Sequence, residues 1–309
     1  MIMHESVLLE EAISSLNLKE DSIVVDMTLG FAGHSSQILK RIKKGYLFAF
    51  DQDEEALSFS REKLKTIGNN FKIFDSNFVY AKPILKEEGI EEVDAILYDL
   101  GVSSPQLDED YRGFSYHKDA PLDMRMDQDN PRSAKDIVNT YSEKELTRIF
   151  RQYGESKFAP SIAKSIIKHR GQKEINSTLE LVEIIKETVP IKERLKKHPA
   201  KQIFQALRIE VNQELSVLET SLKDALSMVK IGGRIAVITF HSLEDRMVKQ
   251  LFNKVCSIDA ISKGLPNVPS DHLPDFRLIT RKGIRPSKEE EEKNHRSRSA
   301  TLRVIEKIK

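Results

Sequence analysis

Over the first hundred positions the apolar residues fall into two alternating patterns. Short continuous runs at Ser22–Thr28, Gly45–Asp51, Phe71–Phe74 and Val93–Asp99 read as strands buried on both faces. Between them, Ser35–Lys44, Glu54–Ile67 and Tyr80–Glu88 carry apolar positions at helical spacing. This alternation predicts a parallel sheet covered by helices on both sides. It stops after Asp99. Gly101–Pro131 is a long irregular stretch rich in Asp, Pro, Gly and Ser, of a kind more often functional than idle. Ala134–Thr140, Glu143–Tyr153, Phe158–His169 and Ser177–Val189 then show only helical periodicity, which predicts an inserted helical subdomain. The alternation resumes with one long helix over Lys201–Val229, stopped by Gly232 and Gly233. A strand at Arg234–Phe240 and a helix over Leu243–Cys256 follow. Phe276–Thr280 and Ala300–Ile305 suit a terminal antiparallel pair, and the stretch between them, with Glu289–Glu292, is expected to be a mobile loop.

The 309 residues are 39% hydrophobic and 31% charged, a globular composition. No apolar run approaches the ~18 residues that span a bilayer. The acidic start MIMHESVLLEEA does not read as a signal peptide. A single cysteine, Cys256, excludes an internal disulfide and a cysteine-rich zinc site, and the cytoplasm is the expected compartment. The net charge of +1 conceals blocks: −10 over residues 1–150, +6 over 151–210, −1 over 211–276 and +6 over 277–309. Basic blocks can gather a polyanion even on a nearly neutral chain.

In open parallel sheets ligands sit outside the carboxyl ends of the strands. Here the first strand ends at Asp26 and runs into a loop containing Gly30 and Gly33, the second ends at Asp51 and the fourth at Asp99. Small loop residues allow close backbone approach, and a carboxylate can accept both hydroxyls of a ribose. The loop lacks the three glycines of the dinucleotide fingerprint and any phosphate-loop lysine, so an adenosine ligand without phosphates, S-adenosylmethionine, fits best. A structural turn is the plain alternative for each of these residues taken singly. No His, Cys and Asp spacing indicates a metal.

More specific strings follow: DLGVSSPQLD at 99–108, RGFS at 112–115, PLDMRMD at 121–127, FQALRI at 204–209 with Val211-Asn212 and Glu214-Leu215, FHSLEDR at 240–246, and RSRSA at 296–300. Together they resemble the bacterial 16S rRNA cytosine-N4 methyltransferases, the RsmH (MraW) family, from His4 to Glu306. Met27 and Ala32 stand where that family's first motif usually has glycines. The resemblance implies a class I S-adenosylmethionine-dependent methyltransferase, α/β, with a mostly parallel seven-stranded sheet. A discontinuous methyltransferase domain, 1–106 and 206–309, would carry an inserted helical subdomain, 107–205. The implied reaction is methyl transfer to N4 of cytosine 1402 in the decoding centre of 16S rRNA. By position, the cofactor residues implied are Ala32, Gly33, His34, Asp51, Phe78, Asp99 and Gln106.

Transfer from a sulfonium needs in-line positioning rather than a covalent intermediate. The candidates for orienting the amine are Asp99, Ser104 and His241, the last with a helix-capping alternative. An extruded base would stack on Phe114, Tyr116 or Arg125, and Lys192, Arg194, Lys196, Lys197, Lys201, Arg296 and Arg298 would meet phosphates. The implied partner is 16S rRNA within the small ribosomal subunit, with no membrane, and a homodimer is left open. The competing readings are a Rossmann oxidoreductase and a catalytically silent RNA-binding assembly factor.

Overall fold

The computed structural model describes residues 6–101, 110–196, 198–258, 267 and 269–309. In chain order the described elements are α1 Leu9–Ser15, β1 Ile23–Asp26, α2 Gly33–Arg41, β2 Tyr46–Asp51, α3 Glu54–Lys65, β3 Phe71–Asp75, α4 Ala81–Glu87 and β4 Val93–Asp99. Then come α5 Ala134–Thr140, α6 Glu143–Gln152, α7 Ala159–Arg170, α8 Thr178–Thr188, the short α9 Ile191–Arg194, α10 Ala200–Asn212 and α11 Glu214–Met228. The chain closes with β5 Val229–Thr239, α12 Ser242–Val255, β6 Phe276–Leu278, α13 Lys288–Lys293 and β7 Thr301–Lys307. It divides into two compact units, Met1–Gly101 with Val217–Lys309, and Val102–Ser216.

The first unit is a seven-stranded sheet ordered β3-β2-β1-β4-β5-β7-β6. β1 pairs in parallel with β2 and β4, β2 with β3, and β4 with β5, while β7 runs antiparallel to β5 and β6. Alternate strand side chains go to opposite faces. Val24, Leu47, Ala49, Ala95 and Leu97 join Leu8, Ile13, Leu39 and Ile42 in one core. Val25, Phe48, Phe50, Ile96 and Tyr98 join Leu85, Leu222, Val248 and Phe252 in the other. Helices on both faces explain why the strands read as unbroken apolar runs. The expected antiparallel terminal pair is β6 and β7.

Two readings are corrected. The single helix expected over Lys201–Val229 is two helices, α10 and α11, broken at Gln213, whose left-handed backbone (φ 50°) ends α10. The two glycines stop nothing, because the helix already ends at Met228 and they lie within β5. There the register jumps from Val93 opposite Val229 to Ala95 opposite Arg234, and a Cβ on Gly233 would come within 2.6 Å of the Asp94 carbonyl. The stretch with Glu289–Glu292 contains α13 rather than being wholly loop, capped by Ser287, and Glu290 accepts the Leu8 N–H at 2.8 Å.

The second unit is helical among its described residues, apart from one isolated bridge between Pro121 and Ser177. Ser133, Ser142 and Ser177 each form a capping box, with Asp136, Glu145 and Glu180, and so fix where α5, α6 and α8 begin. Ile137, Leu146, Ile149, Ile162, Ile166, Leu181 and Phe204 form its core. The segment before α5 is held by polar contacts. Asn212 donates to the Met124 carbonyl (2.8 Å) and the Arg208 carbonyl (2.9 Å) and accepts the Met126 N–H (2.8 Å). Arg112, buried, reaches the carbonyls of Arg125 and Met126. Gly113 is left-handed (φ 70°), and a Cβ there would lie 2.3 Å from the Pro121 carbonyl. Asn212→Ala removes two hydrogen bonds to this segment and is expected to cost the helical unit about 2 kcal/mol, read by denaturant unfolding. An unchanged midpoint would show that Asn212 does not hold it.

Candidate functional site

Parallel pairing brings the carboxyl ends of β3, β2, β1 and β4 side by side, and each of these strands ends in an aspartate. Asp26, 1% exposed, is engaged by its own loop: Oδ1 accepts the Thr28 N–H (3.1 Å) and Oδ2 the Ser35 hydroxyl (2.6 Å). Burial raises its pKa, with Ser35 and the charge of His34 opposing.

Asp51 ties the β1 loop to β2. Its Oδ2 accepts the Gly30 N–H at 2.7 Å, and its Oδ1 accepts the N–H groups of Gln52 (2.8 Å) and Asp53 (3.0 Å). Burial pushes its pKa up to about 6 against the pull of these three donors. The loop is held from α3 as well, where Ser60 donates to the Gly30 carbonyl (2.6 Å) and Lys63 to the Phe31 carbonyl (2.9 Å). Gly30 (φ 47°) and Ala32 (φ 54°) are both left-handed. Ala32 thus holds a backbone shape that suits glycine, at a cost of about 1 kcal/mol. Gly33 opens α2 against Ser6, whose hydroxyl occupies the space a Cβ would need.

At β4, the Asp99 N–H donates to Thr28 Oγ1 (2.6 Å). Its carboxylate Oδ2 lies 3.4 Å from His34 Nδ1, and its Oδ1 is buried without a hydrogen-bond partner among the described residues. Burial disfavours the charged His34 ring, but contact with Asp99 and the charge of Asp26 outweigh it and raise the pKa. After β3, Asn77 caps a short 3-10 turn, Phe78–Tyr80, and donates to the Gln52 side chain (2.9 Å). Phe78, half-buried, stands edge-on to Tyr98 with ring centroids 5.7 Å apart.

Ala32, Gly33, His34, Asp51, Phe78 and Asp99 therefore all lie at the carboxyl ends of four adjacent strands. Gln106 and Ser104 lie outside the described residues. His241 follows β5 and caps α12, with Glu244 closing the capping box and its carboxylate 3.1 Å from Nε2. The sequence did not reveal Thr28, Ser35, Ser60, Lys63 and Asn77. Thr28, Ser60 and Lys63 meet backbone groups, Asn77 caps its own turn and Ser35 meets the Asp26 carboxylate from within α2, and none of these contacts leaves a spacing signature.

In the helical unit, the stacking role expected of Phe114 is corrected, and Arg125 is held by its neighbours. Phe114 is 6% exposed and packs into the core. Arg125 forks onto Asp123 (2.9 and 2.8 Å) and spends Nη1 on the carbonyls of Gln128 and Asn130. Tyr116 is half-buried and stacks on His198 (4.8 Å, 23°), with the exposed His117 ring 4.3 Å away. Lys192, Lys201 and Arg298 are exposed, Lys196 pairs with Glu193 (3.0 Å), and Lys197 lies outside the described residues.

A sheet of this order, with acidic strand ends around a small-residue loop, defines a class I methyltransferase fold. A model of the MraW methylase family matches residues 1–308, and the chain belongs to that family, whose cofactor is S-adenosylmethionine. Among solved structures, an rRNA methylase from Streptococcus thermophilus is similar at 12% identity, covering 100% of this chain and 99% of that one, with a TM-score of 0.45. A methyltransferase from Streptococcus mutans in complex with SAH is similar at 15% identity, covering 99% of each chain, with a TM-score of 0.44. An rRNA methylase from Clostridium thermocellum is similar at 12% identity, covering 100% of each, with a TM-score of 0.44.

The Asp51 carboxyl has a direct consequence for stability. Its folded pKa, about 6, lies above the ordinary 3.8, so the folded state holds the proton more tightly. Stability therefore falls as pH rises between those two values. Asp51→Asn is expected to flatten this part of the curve of unfolding free energy against pH; an unchanged slope would refute the assignment.

Proposed function

We propose that this methyltransferase methylates N4 of cytosine 1402 in 16S rRNA. The observation that carries the reading is the set of acceptors at the carboxyl ends of β1, β2 and β4, with one oxygen of Asp99 buried and unclaimed. S-adenosylmethionine, when bound, supplies a methyl group activated by a sulfonium. Asp51 accepts the ribose hydroxyls, Phe78 lies against the adenine, and the Gly30–His34 loop follows the cofactor through its backbone, with Ala32 and Gly33 at the turn into α2. Gln106 belongs to the same set by its place in the family motif. Asp99 accepts an amine N–H, and Ser104, which lies outside the described residues, is a second candidate for orienting N4 by its place in the sequence motif. His241 keeps α12 in place.

Direct transfer also agrees with the placement of the single cysteine. Methylation at a pyrimidine ring carbon needs a thiolate to add to the ring first. Cys256 lies at the far end of α12 from the strand ends, and burial pushes its thiol up to about 11. An exocyclic amine needs no such nucleophile.

The helical unit, taken as the insertion 107–205 between methyltransferase segments 1–106 and 206–309, recognises RNA in this reading. Tyr116, His117 and His198 offer ring faces, and Lys192, Lys201 and the other cations of the basic block supply phosphate contacts. The substrate is the assembled small subunit, and the protein works in the cytoplasm. Among the described residues no helix is long and apolar enough to cross a membrane.

Mass spectrometry of 16S rRNA from cells lacking the protein tests the reaction. N4 methylation at this cytidine should disappear, return with the wild-type chain, and fail to return with Asp51→Ala. Persistence of the modification in the deletion strain would refute the assignment. Tyr116→Ala should weaken binding to small subunits about tenfold, within the range of one lost stacked base, while leaving S-adenosylhomocysteine binding unchanged. Equal binding of both chains would remove Tyr116 from the RNA surface.

A further inference from the structure

His34 does more than contribute backbone to the loop. It is the second residue of α2 and only 4% exposed, with the Asp99 carboxylate of β4 3.4 Å from its ring and the charge of Asp26 on β1 acting on it as well. The two differ in how they are used. Both oxygens of Asp26 are taken, by Thr28 and Ser35. Asp99 has Oδ2 within 3.4 Å of His34 Nδ1, while Oδ1 is buried and has no hydrogen-bond partner among the described residues. A buried acceptor without a donor is costly and needs a reason.

A carboxylate can rotate about its last bond and offer either oxygen. A donor fixed on one side removes that freedom. With a carboxylate 3.4 Å away, the surroundings keep a proton on Nδ1, in the charged ring as in the neutral one. We propose that His34 is a positioning residue, whose Nδ1–H holds Asp99 Oδ2 so that Oδ1 is presented as acceptor to an amine N–H bound at the carboxyl end of β4. This rests on the function proposed above, in which two amines meet there: the α-ammonium of the cofactor's methionine moiety and the N4 amine of cytosine. Both present the same N–H chemistry to the same oxygen.

The test uses the full-length chain with His34→Ala and His34→Asn, the second retaining an N–H donor near the Nδ1 position. Calorimetry measures the binding of S-adenosylhomocysteine and of 5′-methylthioadenosine, which lacks the amino-acid moiety. Single-turnover transfer to small subunits is measured at saturating S-adenosylmethionine. His34→Ala should weaken S-adenosylhomocysteine at least tenfold with 5′-methylthioadenosine within twofold of wild type, which assigns the cofactor ammonium to Asp99. Alternatively it should leave both affinities intact and slow single-turnover transfer at least tenfold, which assigns the substrate amine. In either case His34→Asn should recover to within threefold of wild type. In an Asp99→Ala background either His34 substitution should cost less than twofold.

Equal loss of both ligands, no loss in any readout, failure of His34→Asn to recover, or a full loss on top of Asp99→Ala would each overturn the proposal. If His34→Ala does not fold, His34→Asn and the Asp99→Ala comparison still decide it. Wild-type protein that binds neither nucleoside would refute the proposed function itself, and this inference with it.

Discussion

The bond from the Gly30 N–H to the Asp51 carboxylate is the constraint on which the site depends. It joins the loop after β1 to the end of β2, and it sets where a ligand can approach the backbone. The loop takes a shape that its side chains do not favour, with Ala32 left-handed, and the surrounding contacts hold it there. Asp51 supplies one of them, Ser60 and Lys63 two more. Parallel register then does the rest, because neighbouring strands that run the same way deliver their terminal aspartates to one edge of the sheet.

That edge concentrates negative charge under partial burial. Burial raises the pKa of both Asp26 and Asp51, a mark of electrostatic strain at this edge. A cationic ligand relieves this strain, since an ammonium or sulfonium favours the charged carboxylates. His34 meets part of the same need from within the protein, its charged form supported by the carboxylates on either side.

The sheet was legible because its strands are buried on both faces and its helices are amphipathic. The edge aspartates were legible because a strand that ends in acid after an apolar run stands out. The break at Gln213 was not, because apolar spacing continues on both sides of it and no Gly or Pro marks the turn. Gly232 and Gly233 misled for the converse reason: they look like a helix stop, yet inside β5 Gly232 takes a left-handed backbone and Gly233 allows a close approach to the Asp94 carbonyl. Phe114 and Arg125 sit in a motif that invites a ligand reading, but the motif spends them on its own framework. The His34–Asp99 contact joins two residues far apart in the chain, and only the pairing of β1 with β4 brings them together. Sequence pattern thus marked the strand ends more reliably than it marked which side chains the framework uses.

The central claim is that neighbouring strand ends cradle one sulfonium nucleoside. A crystal structure of the protein with S-adenosylhomocysteine tests it most directly. The account predicts the ribose on Asp51, the adenine against Phe78 and the amino-acid moiety at Asp99. A ligand bound elsewhere, or bound here with Asp51 touching nothing, would contradict it.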